Sequence, residues 1–393
     1  MNDISNRVGL TSGSSPVDLR GVHEVVVFTT NVGLGDWEEM GHFEREVSIY
    51  SRWAERMGSV TFLTFGDPHK EVEYESRIAP IQVAPSPKRW PTLLADFGAV
   101  MRHRRLIRGC DIIKTMQVRG GVVGVMAKWL WGRPLLVRCG FVPSLFSRHA
   151  GRRLRELIQA RMESMVFRNA DAVIVATDED KQYICDRYRL PVDKVTVIGN
   201  GIDTETFRPM PEVPKEPGTV CFVGRFSPQK NLDNLIRAMA GTGLELVAYG
   251  SGDLQPDLQA LAERVGVRVR WCGRVPNWEV PVACNRAMLF ALPSLYEGNP
   301  KALLEAMSCG CCVVTTPVEG IRNLTVHGQN AIICRDTGVG GIREGLLQAT
   351  SDPAIVERLG REAREFVLRN YALGVLMDRE TSLLRTLAGS RQT

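Results

Sequence analysis

The amino-acid sequence predicts an α/β chain built from two parallel-sheet domains. Apolar runs of strand length alternate with helical patterns through residues 25–198, the same alternation starts afresh at 220, and a stretch with four prolines, 206–218, lies between them. Strand and helix in turn place parallel strands in one sheet with helices on both faces.

In the first half, residues 25–28 form a continuous apolar run, as a strand buried on both faces should. A loop rich in glycine and acids, 31–41, leads into a helical pattern over 42–57, and 60–65 is the next strand. A strand at 110–113, a helix near 121–131, a strand at 134–137, a long helix over 152–168 and strands at 172–175 and 194–198 follow. In the second half strands are expected at 220–223, 244–248, 267–270, 287–292 and 313–314, and a helical stretch runs from about 352 to 387. The division is thus a flexible N-terminus (1–20), a first domain (21–205), a linker (206–218), a second domain (219–370) and a C-terminal helix (371–393).

Composition narrows the class. A chain of 393 residues, 44% hydrophobic and 24% charged, has room for two globular domains and is not disordered. It contains no apolar run of the roughly 18 residues that would span a bilayer. Residues 1–16 are polar and lack a hydrophobic signal segment, so a cytoplasmic protein is expected. Ten cysteines then mean reduced thiols. Cys309, Cys311 and Cys312 straddle a helix stop and a strand start with no histidine at ligand spacing, so no metal site is expected there.

Charge is lopsided. Between Met101 and Arg168 stand 15 Lys and Arg against three acids, although the whole chain is only +5. Such a block suits an anionic surface or substrate, and no helix-turn-helix, zinc-finger or RNP pattern accompanies it to suggest nucleic acid.

Residues 294–310 concentrate the chemistry. Pro293 closes the strand at 287–292, Asn299 reads as an N-cap and Pro300 as the first helical residue, so free backbone N–H groups start near Lys301 and Ala302. A helix N-terminus just past the carboxyl end of a parallel strand suits a phosphate-bearing ligand. Glu297, in the loop, and Glu305, about one and a half turns into the helix, can both accept hydrogen bonds from hydroxyls of one ligand. After the strand at 220–223, Gly224 permits a tight turn, and Arg225 and Lys230 place two cations in the loop. Arginine grips phosphate oxygens in pairs, whereas lysine acts as a point charge.

The interval from Glu297 to Glu305 and its flanks resemble the E-x7-E signature of retaining GT-B glycosyltransferases of the family 4 type, the glycosyl transferases group 1. The loop at 224–231 resembles that family's G-R-x3-x-K-N pattern. The resemblance is firm over 220–371 and looser over nearly all of the chain from 22. It implies the GT-B fold, two Rossmann-like domains facing across a cleft, with acceptor on the first, donor on the second and the C-terminal helix partly returning to the first. Glu297 would face the donor sugar and Glu305 hold the ribose hydroxyls. Gly224, Arg225, Lys230, Arg274 and Val275 would join them, and Gly298, Asn299, Pro300, Lys301 and Ala302 would complete the donor site. Glu297, Arg225 and Lys230 are the catalytic candidates.

Residues 272–275 resemble the loop whose backbone reads the donor base, and 198–203 the family's P-N-G-V-D turn with Gly199 in the proline's place. Residues 41–46 resemble the G-G-x-E-R entry to the first helix, with Met40 replacing a glycine. The histidine that many members carry after the fourth strand is missing. Gly41, His42, Lys114, Gln117, Arg119 and Arg138 are therefore the acceptor-side candidates.

The expected activity is transfer of a sugar from a UDP- or GDP-sugar to a hydroxyl, by front-face attack with retention, in cell-surface polysaccharide or glycolipid biosynthesis. No cofactor is expected, and Arg225, Lys230 and a helix N-terminus would take a metal ion's place. The basic region would meet an anionic membrane face or a lipid-linked or anionic acceptor. Two alternatives stay open: another GT-B enzyme, such as an epimerase or phosphorylase, and a non-catalytic partner of a polysaccharide assembly that binds nucleotide sugar.

Overall fold

The computed structural model describes residues 19–41, 43–89, 91–149 and 151–389. Among them two all-parallel sheets stand side by side. The first comprises β1 (Leu19–Val27), β2 (Met57–Phe65), β3 (Gln82–Ser86), β4 (Ile112–Thr115), β5 (Leu135–Cys139), β6 (Ala172–Val175) and β7 (Val195–Val197), in the order β3-β2-β1-β4-β5-β6-β7. The second comprises β8 (Glu216–Val223), β9 (Glu245–Tyr249), β10 (Val269–Gly273), β11 (Ala287–Leu292), β12 (Cys312–Thr315) and β13 (Ile332–Ile333), in the order β10-β9-β8-β11-β12-β13. Every residue of β4, β6 and β12 is buried, because helices cover both faces of each sheet.

Strand order reverses between β1 and β4 in the first sheet and between β8 and β11 in the second. At such a reversal the following loops splay to opposite faces and leave a crevice at the carboxyl ends of the strands. The loops bearing Arg225 and Glu297 flank the crevice of the second sheet.

Each sheet has its own apolar core. The helix Pro353–Asn370 packs on the second, but Leu373, Leu376, Met377, Leu384 and Leu387 of the helix Leu373–Gly389 belong to the first. The chain leaves the first unit at Ile202 and re-enters it at Ala372, and these crossings lie side by side. The Ile202 N–H donates to the Tyr371 carbonyl (2.8 Å) and the Leu373 N–H to the Ile202 carbonyl (2.9 Å). Arg52 grips Asp203 through both carboxylate oxygens, at 3.1 and 2.9 Å, and so holds the first crossing against the first domain.

The proline-rich stretch at 206–218 is anchored to the second unit. Phe207 is buried in its core, the Met210 N–H donates to Asn285 Oδ1 (2.8 Å), and β8 already begins at Glu216. Leu19 and Arg20, expected in a flexible terminus, instead open β1, since Leu19 is buried and pairs with Met57 of β2. The rest of that expected segment lies outside the described residues. Two strands were missing from the expectations. β3 is an edge strand carrying Pro85, which an interior strand would not tolerate, and β13 is two residues long.

Candidate functional site

The loops after β8, β9 and β10 converge because their glycines let the backbones touch. The Gly224 N–H donates to the Tyr249 carbonyl (3.0 Å) and the Gly250 N–H to the Gly273 carbonyl (2.7 Å). Gly250 adopts φ +136°, and a Cβ there would meet the Gly224 carbonyl oxygen at 1.9 Å, so no other residue fits. Arg225 is exposed beside this junction, with no ion pair among the described residues. Arg274 Nε donates to Ser251 Oγ (3.1 Å), and Val275 packs on the second core.

Lys230 ends a short turn that is stitched to the loop after β11. Asn231 Nδ2 donates to the carbonyls of Pro293 (3.0 Å) and Thr337 (2.9 Å), and the Leu295 N–H donates to the Gln229 carbonyl (2.8 Å). This brings Lys230 Nζ to 2.5 Å from Glu297 Oε1, which also accepts from Ser294 Oγ at 2.6 Å. The Glu297 side chain is only 7% exposed. Gly320 (φ +72°) backs the loop, since a Cβ there would lie 1.9 Å from the Gly298 carbonyl oxygen.

Asn299 does not cap the helix as expected. The cap position is Pro300, the helix runs Lys301–Ser308, and Asn299 Oδ1 accepts from the Asn200 N–H (2.9 Å) while its carbonyl accepts from Asn200 Nδ2 (2.7 Å). The carboxamide is spent on joining the two domains, and the N–H groups past Pro300, at Lys301 and Ala302, are left without a side-chain cap. Glu305 is buried, and burial pushes its carboxyl pKa up against the opposing pull of Arg45 and Lys301. It lines a cavity of about 170 Å3 with Arg45, Asp203, Asn277, Trp278 and Lys301.

Lys301 reaches across the cleft to Glu46, with Nζ 2.7 Å from Oε1. Burial alone would raise the Glu46 pKa, but Lys301 and Arg45 outweigh it and hold the carboxyl at about 2. Arg45, Glu46, Asn277 and Trp278 were not singled out from the sequence. For Arg45 and Glu46 the signal was present in the stretch 41–46.

On the first domain a cavity of about 390 Å3 opens on the cleft and gathers Lys114, Gln117 and Arg138 with Tyr50, Trp53 and Glu380. Lys114 is a buried ion-pair partner of Glu380 from the C-terminal helix, with its ammonium 4.8 Å from the Trp53 ring centre and 5.2 Å from that of Tyr50. Burial would lower the Lys114 pKa, but Glu380 and other neighbours outweigh it and the value is raised. Arg138 Nη1 lies 3.7 Å from Glu380 Oε2, and Gln117 Oε1 accepts from the Gly140 N–H (3.1 Å).

Arg119 does not join this group. Its Nη2 donates to the fully buried Asp96 (2.8 Å), whose other oxygen accepts from Thr30 Oγ1 at 2.5 Å. Gly41 (φ +71°) forms the turn before the helix Phe43–Ala54 and lines neither cavity, and His42 lies outside the described residues. Asp178 and Asp180 make an Asp-x-Asp after β6, but they sit in the first turn of the helix Asp178–Tyr188, where Thr177 Oγ1 caps the Asp180 N–H (3.1 Å). No group of side chains suited to a metal ion occurs among the described residues.

Comparison with known proteins agrees with this architecture. Residues 203–366 match the family model described as glycosyl transferases group 1, and residues 46–206 match the one described as glycosyltransferase family 4. A glycogen synthase of Mycobacterium tuberculosis is 27% identical over 263 residues, 62% of this chain and 63% of that protein, so the chain spans about three fifths of that relative. A D-inositol 3-phosphate glycosyltransferase of Kribbella flavida is 27% identical over 305 residues, 70% of this chain and 72% of the relative. The structure of Anabaena HepE in complex with UDP superposes with a TM-score of 0.75 at 18% identity, covering 93% of this chain and all of that one, a likeness of fold. The two matched models adjoin and between them take in both domains: the second domain is of the glycosyl transferases group 1 type, the first of the glycosyltransferase family 4 type, and the chain has the GT-B fold.

Proposed function

We propose that the protein is a retaining, metal-independent hexosyltransferase that moves a sugar from a UDP- or GDP-sugar to a hydroxyl acceptor in cell-surface polysaccharide or glycolipid biosynthesis. The observation that carries this reading is the contact of Lys230 Nζ with Glu297 Oε1 at 2.5 Å, on the loop that also bears Arg225, which has no ion pair among the described residues. A diphosphate leaving group gains charge as the sugar departs, and fixed cations aimed at it lower the barrier. Lys230 links that charge to the carboxylate that would face the sugar, and Arg225 and the uncapped N-terminus at Lys301 add positive potential where a metal ion would otherwise serve. HepE, with the same fold, has been solved with UDP and with UDP-glucose, which supports a uracil nucleotide as the first donor to try.

Glu305 would accept the ribose hydroxyls in its buried cavity. Glu305→Ala is expected to weaken nucleoside diphosphate binding by about 1–3 kcal/mol, the cost of leaving buried hydroxyls without an acceptor. Isothermal titration measures it, and unchanged affinity in a folded variant removes Glu305 from the site. The reading as a whole is tested by release of UDP or GDP from a panel of nucleotide sugars. One donor should be hydrolysed slowly without acceptor, and EDTA should leave the rate unchanged. A rate abolished by EDTA and restored by Mg2+ overturns the metal-independent reading.

The basic region of the first domain supports a peripheral seat on the cytoplasmic membrane face. Among the described residues no helix is long and apolar enough to cross a membrane. Exposed apolar side chains, Trp129, Leu130, Leu154, Leu157 and Ile158, are nevertheless interspersed with the arginines.

A further inference from the structure

The helix Arg153–Asn169 begins with side chains that its own core does not use. Leu154 is 74% and Ile158 62% exposed, although the second half of the same helix buries Val166 and Phe167 completely. These residues line an open groove of about 930 Å3 with Met162 and Phe141 on its apolar side. Arg119, Arg152, Arg153 and Arg155 line it too, and among the described residues no carboxylate does. Glu156, the acid nearest in sequence, is held by Arg148 at 2.8 Å, and Arg152, Arg153 and Arg155 have no ion-pair partner among the described residues. One Nη of Arg119 is buried with no hydrogen-bond partner while the other holds Asp96.

The groove adjoins the cleft. Gln117 and Gly140 line the cleft cavity, and Arg119 and Phe141, on the same two loops, line the groove. From Phe141 an aromatic row runs through Phe146 (5.3 Å between ring centres) to Tyr296 (6.3 Å), the neighbour of Glu297.

An apolar floor ringed by four guanidinium groups, three of them with no ion-pair partner among the described residues, and with no acid in its lining, complements one kind of molecule: an amphiphile with a hydrocarbon chain and a phosphate head. We propose that this groove binds a phosphate-bearing lipid, its chain along Leu154, Ile158 and Met162 and its phosphate on Arg119, Arg152 and Arg155, and that this lipid carries the acceptor hydroxyl to the cleft. The acceptor role rests on the sugar-transfer reading above, whereas binding in the groove does not.

Dodecyl phosphate, below its micelle concentration, is the probe, titrated calorimetrically beside inorganic pyrophosphate and dodecyl maltoside. Dodecyl phosphate should bind at least tenfold more tightly than either. Arg152→Ser with Arg155→Ser, and separately Leu154→Gln with Ile158→Gln, should each weaken it at least tenfold while UDP affinity stays unchanged. The substituted side chains are exposed, so both variants should fold, and unaltered UDP binding verifies it. Equal binding of pyrophosphate reduces the groove to an anion patch, equal binding of dodecyl maltoside reduces it to an apolar one, and insensitivity to both variants places the lipid elsewhere. Each of these overturns the proposal. Loss of UDP binding in the wild type with lipid binding intact would sink the nucleotide reading instead and leave the groove standing.

Discussion

Replacing Lys230 by alanine is expected to lower kcat by about two to three orders of magnitude, the usual cost of removing one preorganised group that meets charge developing in the transition state. Lys230 stands 2.5 Å from Glu297 and is mostly sheltered from water, at 18% side-chain exposure, so its charge acts through little intervening solvent. The donor KM should change far less, because the leaving group's charge is smaller in the ground state. Arg225→Ala should act in the same direction and more weakly, since Arg225 is exposed. Steady-state kinetics on the donor selected by hydrolysis separates the two constants. A variant with raised KM and unchanged kcat would show that Lys230 only binds the ground state.

The second large effect is on stability. Lys114→Ala leaves the buried Glu380 only the more distant Arg138, at 3.7 Å, and the loss should fall toward the low end of the about 3–5 kcal/mol that removing one member of a buried pair costs. Urea unfolding should show that loss. Lys114→Ala combined with Glu380→Ala should recover much of it, because no unpaired charge then remains between them. A loss below about 1 kcal/mol in the single variant would mean that the pair does not hold the C-terminal helix. The pH dependence follows from sign. Burial alone would raise the Glu380 pKa, but Lys114 and Arg138 hold it below the ordinary value of 4.5. Its contribution is therefore complete above the ordinary carboxylate range and is lost as pH falls through the depressed value.

What the sequence made legible was whatever is local. Runs such as Ala172–Val175 and Ala287–Leu292 coincide with β6 and β11 because a short unbroken apolar run, too short for a buried helix, suits a strand covered on both faces. The strand expected at 110–113 lies two residues further on, as β4, because a lysine in mid-strand reads as an end. Lys114 is tolerated there chiefly through Glu380, which no local pattern connects to it. Asn299 failed for the same reason. Asparagine before proline is good capping chemistry, but its partner Asn200 lies on the other domain. On the donor side Arg225, Lys230 and Glu297 lie on loops that follow strands of one sheet, and Glu305 on the helix that continues the second of those loops, so strand alternation was enough to place them at one end of that sheet. The acceptor side depends on which way side chains turn, and Lys114 and Arg119, five positions apart, face different cavities.

The paired crossings at Ile202 and Ala372 mean that the first domain is not one contiguous piece of chain. Its core is closed by Leu373, Leu376, Met377, Leu384 and Leu387, which follow every strand of the second sheet. The buried residues of the second core run from Ile202 to Val367, and only Tyr371 packs against it from beyond that point. On a ribosome, where chain emerges from the N-terminus and domains fold as units, the domain that starts first is therefore completed last. Until Glu380 arrives, Lys114 lacks its nearest ion-pair partner, and the second domain is whole before the surface it must face.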